Sequence, residues 1–185
     1  MTRGGRGSAF MLLALALVGC SQPTVSPFIL AAPLRGEASD PEFTLVITSP
    51  LEVWPEGEAI EVEAELSYLG DLPTLTIASA AGGVIGFSVF EVNGDRRMEA
   101  GRDMACFDYT IGPDQPIKTP YIKSLGINPG EPNEAFYLNF LDDPLFRLPP
   151  GSWHVTAWAS LVTGGPELCD GRQVDLRASL LIIVE

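Results

Sequence analysis

The chain has one histidine, three cysteines, and only 11 lysines and arginines against 24 aspartates and glutamates in 185 residues. Each shortage removes a class of chemistry. His154 is the sole imidazole, so Ser-His-Asp hydrolysis has one candidate base. It stands beside Trp153 in a strand-like stretch, with no Gly-x-Ser-x-Gly turn to present a nucleophile. Blue-copper ligation needs two imidazoles, so Met98, Met104 and Cys106 read as core and disulfide rather than copper ligands. Zinc would want CxxC spacing or a histidine near the cysteines, and neither is present. Asp142-Asp143, and Asp103 and Asp108 around Cys106, do not follow the Asp-x-Asp-x-Asp-Gly spacing that arranges oxygens around calcium. No metal and no cofactor is implied. The shortage of positive charge leaves a net charge of −13, which repels phosphates and anionic headgroups and argues against a nucleic-acid partner.

Long apolar runs are also missing. The one candidate, Ala9 to Val18, follows Arg3 and Arg6 and spans about ten residues, too short for a hydrocarbon core of ~30 Å that needs about 20. A basic start followed by a short apolar segment is an export signal. Its end, Leu17-Val18-Gly19-Cys20, resembles the lipobox of bacterial lipoproteins, which implies cleavage before Cys20 and a diacylglyceryl group on its thiol. Several acyl chains hold a protein far better than one, because each buried CH₂ contributes ~0.8 kcal/mol. The resemblance therefore implies a protein of the cell envelope, bound to its membrane through Cys20 and facing away from the cytoplasm. Ser21 resembles the residue of lipoproteins passed on to the outer membrane, where the source has two membranes. Cleavage removes Arg3 and Arg6 but no acid, so the mature chain carries −15.

Residues 20–41 then read as a lipidated terminus and tether containing Pro23, Pro27, Pro33 and Pro41, with Phe28-Ile29-Leu30 as its one apolar cluster. Residues 42–185 read as a single domain. With Cys20 lipidated, Cys106 and Cys169 are the remaining pair in a compartment that permits disulfides. Two free or metal-binding thiols are the alternative.

Alternation carries the fold. Ile60, Val62, Ala64, Leu66 and Tyr68 fall on one side while Glu61, Glu63, Glu65 and Ser67 fall on the other, a period of two that suits a half-exposed antiparallel strand. The three glutamates read as its solvated face. Pro55 to Glu58 supplies a turn before it, and Asn93-Gly94 predicts a two-residue hairpin. Further short apolar stretches run through Phe43 to Thr48, Thr74 to Ala78, Ile85 to Val92, Ala105 to Thr110, Phe136 to Leu141, Ser152 to Val162 and Val174 to Val184. No stretch of about a dozen residues shows a 3.6 period with caps, so little helix is expected. The expected fold is an all-β antiparallel sandwich of about seven to nine strands. Leu148-Pro149-Pro150-Gly151-Ser152-Trp153 and the alternation after it resemble the turn and penultimate strand of bacterial immunoglobulin-like modules. That resemblance implies Trp153, Val155, Ala157 and Ala159 facing the core and Val174 to Val184 returning as the final strand. A barrel or a transthyretin-like sandwich is the alternative topology.

A sandwich of this size with short loops offers little room for the carboxylate-lined cleft of a glycosidase, and the function expected is non-catalytic. The expected protein is a membrane-anchored binding module with an unidentified protein or glycan partner. Trp158 falls opposite Trp153 on its strand and is either covered by neighbouring chain or marks a contact surface. Arg96 and Arg97, with Arg102, form the one basic cluster and are the other candidate surface. A proteinase inhibitor presenting Asp114 to Pro120 or Asn128 to Pro132 is the second reading. A small-ligand carrier or enzyme is the third.

Overall fold

The computed structural model describes residues 32–101, 106–127, 129–167 and 169–185, the side chains of Pro166 and Glu167 excepted. The signal segment, Cys20 and Phe28 to Leu30 lie outside the described residues, as do Arg102, Asp103, Met104 and Asn128. Two sheets pack as a β-sandwich. Sheet A holds β1 (Leu34–Ser39), β2 (Phe43–Ser49), β4 (Glu63–Tyr68) and β9 (Ile117–Pro120) in the order β1-β2-β4-β9. Sheet B holds β3 (Val53–Trp54), β11 (Asp170–Val184), β10 (Gly151–Glu167), β5 (Leu75–Ser79) and β8 (Phe107–Ile111) in that order. Alongside β5, β6 (Ile85–Glu91) also pairs with β10 and carries β7 (Arg97–Glu99) at its outer edge. Among the described residues no helix is long and apolar enough to cross a membrane.

The two inner faces supply the core. Ile60, Val62, Ala64, Leu66 and Tyr68 are all buried, as the alternation predicts, and meet Phe43, Leu45 and Ile47 from β2. From sheet B come Trp153, Val155, Ala157 and Ala159, with Val174 to Val184 burying every second residue. Full burial of one such large apolar side chain contributes about 1.5–3 kcal/mol, so these two rows dominate the favourable side of folding. The β6–β7 register brings Phe90 opposite Arg97, and Asn93 takes φ 63° in the turn between them, but the Gly94 amide donates to the Glu91 carbonyl at 3.4 Å, so the turn is centred on Val92-Asn93, one residue before the expected Asn93-Gly94 pair.

Three further expectations need correction. Phe136 to Leu141 is not a strand: it lies in α1 (Glu134–Asp142), the described residues' one α-helix. Phe136, Tyr137 and Phe140 share one helical face, with Phe136 against Trp153, Phe140 against Phe146 and the Tyr137 hydroxyl accepting from the Arg97 amide, which a strand's period of two would not allow. The Glu134 carboxylate accepts from the Gly130 amide at the start, and Pro144 bars continuation at the end. Secondly, the folded unit starts earlier than residue 42, because β1 lies within the stretch read as tether and pairs along its length with β2. Thirdly, there are eleven strands among the described residues, several of only two to four residues, and two of 17 and 15.

β1 also closes one side of the sandwich against β11. A Cβ on Gly36 would stand 2.3 Å from the Ser179 carbonyl oxygen, so only glycine permits this approach. Arg172 on β11 reinforces the seam, pairing with Asp40 at 2.7 Å and with Glu42. Burial alone would raise the Asp40 carboxyl, but the Arg172 guanidinium and the amides of Glu42 and Phe43 outweigh it and hold the group below the usual carboxylate range. A depressed folded-state pKa gives stability that is full above the unfolded value near ~4 and disappears as pH falls through the lower folded value. Asp40→Asn is therefore expected to cost about 1 kcal/mol at pH 7, Arg172 being nearly half exposed and screened. Melting curves of both proteins from pH 7 to pH 2 should converge at the acid end; a constant gap would contradict the linkage.

The pairing on the other side of β10 is interrupted. Along β10, Ala159 faces Ile85 and Val162 faces Ala78, so three residues on one side answer to seven on the other. The surplus is extruded as a loop closed by an Ala80–Gly83 bridge, with Gly83 at φ 111°. Cys106 stands before β8 and is disulfide-bonded to Cys169 at the tip of the β10–β11 hairpin, with Cα atoms 6.2 Å apart.

Candidate functional site

The outer face of sheet B is assembled by register. Direct antiparallel partners share a face, so the pairings place Leu181, His154, Phe90 and Arg97 in one row. Ser179, Thr156, Ser88 and Glu99 form the next. Arg177, Trp158 and Gly86 form a third, and Asp175 with Ser160 a fourth. Trp158 is thus central. A Cβ on Gly86 would fall 2.1 Å from Trp158 Cζ2, so the indole lies against a glycine backbone and cannot tolerate a side chain beneath it. The ring stays partly exposed while its strand neighbours Thr156 and Ser160 are buried. Neighbouring chain thus seats the ring in part, and the rest of the residue faces out.

Two hollows adjoin the ring. One, of 160 Å³, is lined by Ser88, Phe90, Glu99, Trp158, Asp175 and Arg177 among others. The second, of 120 Å³, lies between Trp158, Gly86, the Gly82-Gly83 loop, Ala100 and Ile122. The floor between is rigid. Thr156 Oγ1 and Ser179 Oγ are 2.7 Å apart, and the buried Ser79 hydroxyl donates to the Ser160 carbonyl at 2.7 Å. Hydroxyls and carboxylates around one aromatic ring make a small amphipathic surface on strands, where side chains are better fixed than on loops.

Of the basic cluster, Arg102 lies outside the described residues, and Arg96 and Arg97 do not share a face. Arg97 lies on the outer face with its guanidinium carbon 5.8 Å from the Phe90 ring centre, two rows from Trp158. Arg96 turns to the opposite side of β7's leading edge, over Phe136 at 4.9 Å and 3.6 Å from Glu91. Strand alternation separates adjacent residues, so this pair cannot offer one patch.

The remaining candidates are dispersed. His154 is exposed beside Phe90 and Leu181. Met98 is buried in the core. Glu63 and Glu65 lie on the outer face of sheet A, where Lys118 at 2.8 Å holds the Glu65 carboxyl below the usual range, with the Ser67 hydroxyl assisting against burial. Asp143 pairs with Arg147, and Asp108 stands exposed on β8. Among the described residues, no cluster of three or more histidines, cysteines, aspartates or glutamates is placed to hold a metal ion. Of the loops considered for protease inhibition, Asp114 to Pro120 is about half strand: Ile117–Pro120 is β9, paired with β4, and the exposed part of the turn before it is Pro113 to Gln115. The segment 129–132 leads directly into α1.

A wider depression of 500 Å³ runs beside β4 and β9 between Pro50, Ile60, Tyr121, Leu145 and Phe146. Its polar side chains are Thr48, Glu61, Glu63 and the hydroxyl of Tyr121. Tyr121 is stacked on Phe146 at 3.8 Å, and burial raises its hydroxyl pKa further above the ordinary value.

Asp175, Arg177, Glu99 and Ser88 were not singled out from sequence. The alternation from Val174 to Val184 carries the signal for the first two, since it sends them outward opposite a buried row. Gly86 inside an apolar strand is the second signal, marking a close backbone approach. In sequence the chain matches no protein-family model and no curated protein, which leaves the chemistry of this face as the guide to its use.

Proposed function

We propose that the chain is a lipid-anchored, extracytoplasmic, non-catalytic binding module, and that the outer face of sheet B around Trp158 is its binding face. The anchor rests on Leu17 to Cys20 and the short apolar run before it. The placement of Trp158 carries the rest: a partly exposed indole, seated on a strand at the centre of a sheet, flanked by two hollows and by charged groups of both signs. Aromatic and arginine side chains dominate binding energy where they sit in well-packed surroundings, and this is where the described surface offers them together. The strongly acidic surface elsewhere keeps the tethered domain soluble and clear of anionic headgroups.

Diazirine side chains, which insert into the C–H bonds of protein and glycan alike, test this in the intact envelope. Placed at Glu99, the probe should give a defined adduct that Trp158→Ala abolishes. Placed at Glu63 on the outer face of sheet A, it should give none. Equal labelling from both positions would contradict the assignment of the face.

A further inference from the structure

The ligand chemistry can be taken further, resting on the binding face just described. We infer that the face binds a saccharide, with one pyranose ring stacked on Trp158 and its hydroxyls held in the 160 Å³ hollow by Glu99, Asp175 and Arg177. The face of an indole is negative, and a pyranose presents a face of weakly positive C–H bonds, so the two stack without any charge on the sugar. The rim of the same sugar is a ring of hydroxyls, each donor and acceptor. Carboxylates accept from adjacent hydroxyls, and a guanidinium donates to them.

Three observations favour a saccharide over a protein. The hollows are small, 160 and 120 Å³, and separated by the ring, which suits compact units on either side of a stacking platform. An obligate protein interface would want a contiguous apolar patch, yet of the large exposed hydrophobic residues only Leu181 falls in the four rows and only Ile122 lines a hollow; Leu51, Leu69, Leu72, Leu138 and Leu141 lie elsewhere. The platform is also preorganised: Gly86 fixes the indole from below, and the neighbouring hydroxyls are already engaged. A rigid polar site loses little entropy on binding, which a weakly hydrophobic ligand requires.

The full chain in detergent micelles is titrated with a panel of neutral and acidic oligosaccharides of gluco, galacto, manno and N-acetylhexosamine type, and tryptophan fluorescence is followed. Trp54 and Trp153 are buried, so Trp158 is the indole positioned to report a ligand. At least one saccharide should shift the emission saturably, with calorimetry giving the same Kd and little change between low and high salt. Trp158→Ala should weaken that binding at least about tenfold, Trp158→Phe less, and Glu99→Gln, at the rim, several-fold with an unchanged melting temperature. No saturable binding below about 10 mM across the panel, or equal binding by Trp158→Ala, overturns the inference. An adduct from the Glu99 diazirine that proves to be protein, with the panel silent, removes the saccharide but keeps the face. No adduct above the Glu63 control removes the face itself.

Discussion

Trp153→Ala is expected to lower the free energy of unfolding by about 3–5 kcal/mol, the cost of emptying a large aromatic site in a packed core. The residue is fully buried, and three separate groups converge on it. Its indole N–H donates to the Pro149 carbonyl at 3.0 Å, which fixes the turn entering β10. Phe136 of α1 stacks against it with ring centres 6.4 Å apart, so the helix loses its seat on the sandwich together with the side chain. The indole nitrogen also lies against Gly151, where a Cβ would stand 3.5 Å away, and truncation leaves the Pro149 carbonyl without its donor. For a folded unit of about 150 residues, a loss of that size lowers the melting temperature by roughly 6–20 °C. Leu138→Ala is the control, because Leu138 lies on the outer side of the same helix, 53% exposed, and should change stability by no more than about 0.5 kcal/mol. Comparable effects from both substitutions would mean that α1 does not pack as described.

Removing the disulfide by the double substitution Cys106→Ala and Cys169→Ala is expected to cost up to about 4 kcal/mol. Sixty-three residues separate the two cysteines, and in the chain-entropy description a cross-link over that span restricts the unfolded chain by this amount. Residual structure in the unfolded chain makes the loss smaller. The folded state contributes a local effect, since the bond ties the β10–β11 hairpin tip to the chain entering β8, an outer strand of sheet B. Without it, amide exchange should accelerate first around Gly164, Gly165 and Gly171 and last at Val155 and Ile182 in the sheet centre. Urea unfolding of the oxidised protein, the reduced protein and the double variant measures the loss. The last two should agree, and a loss below about 1 kcal/mol would contradict the cross-link as a major stabiliser.

Legibility in the sequence followed the length and contrast of each pattern. Ile60 to Tyr68 and Trp153 to Ala159 alternate over many residues between large apolar and polar side chains, and both point where the alternation sends them. The β6–β7 reversal was legible from Asn93, which takes positive φ, but not its centre, which lies at Val92-Asn93. β1 was not, because Leu34, Gly36 and Ala38 form its inward row: two are small, and Gly36 must be, against the Ser179 carbonyl. β3, β7 and β9 are too short for a period to register, and partners outside them create them. Phe136 to Leu141 is nearly all apolar, so its faces cannot be told apart locally; the signals for helix lay at its ends, in Glu134 and Pro144. The proposed binding face shows the same limit. Trp158 stood out alone, whereas Glu99, Asp175 and Arg177 reach it through pairings between strands far apart in sequence.

Cys20→Ser tests directly whether the chain works at a membrane surface. Envelope fractionation with mass spectrometry of the mature amino terminus should find the wild-type chain in the membrane fraction, beginning at a diacylglyceryl-modified Cys20. The variant should lose the modification and leave that fraction, while the purified protein melts as wild type does. A Cys20→Ser protein that stays in the membrane fraction with the same modified terminus would contradict the anchor.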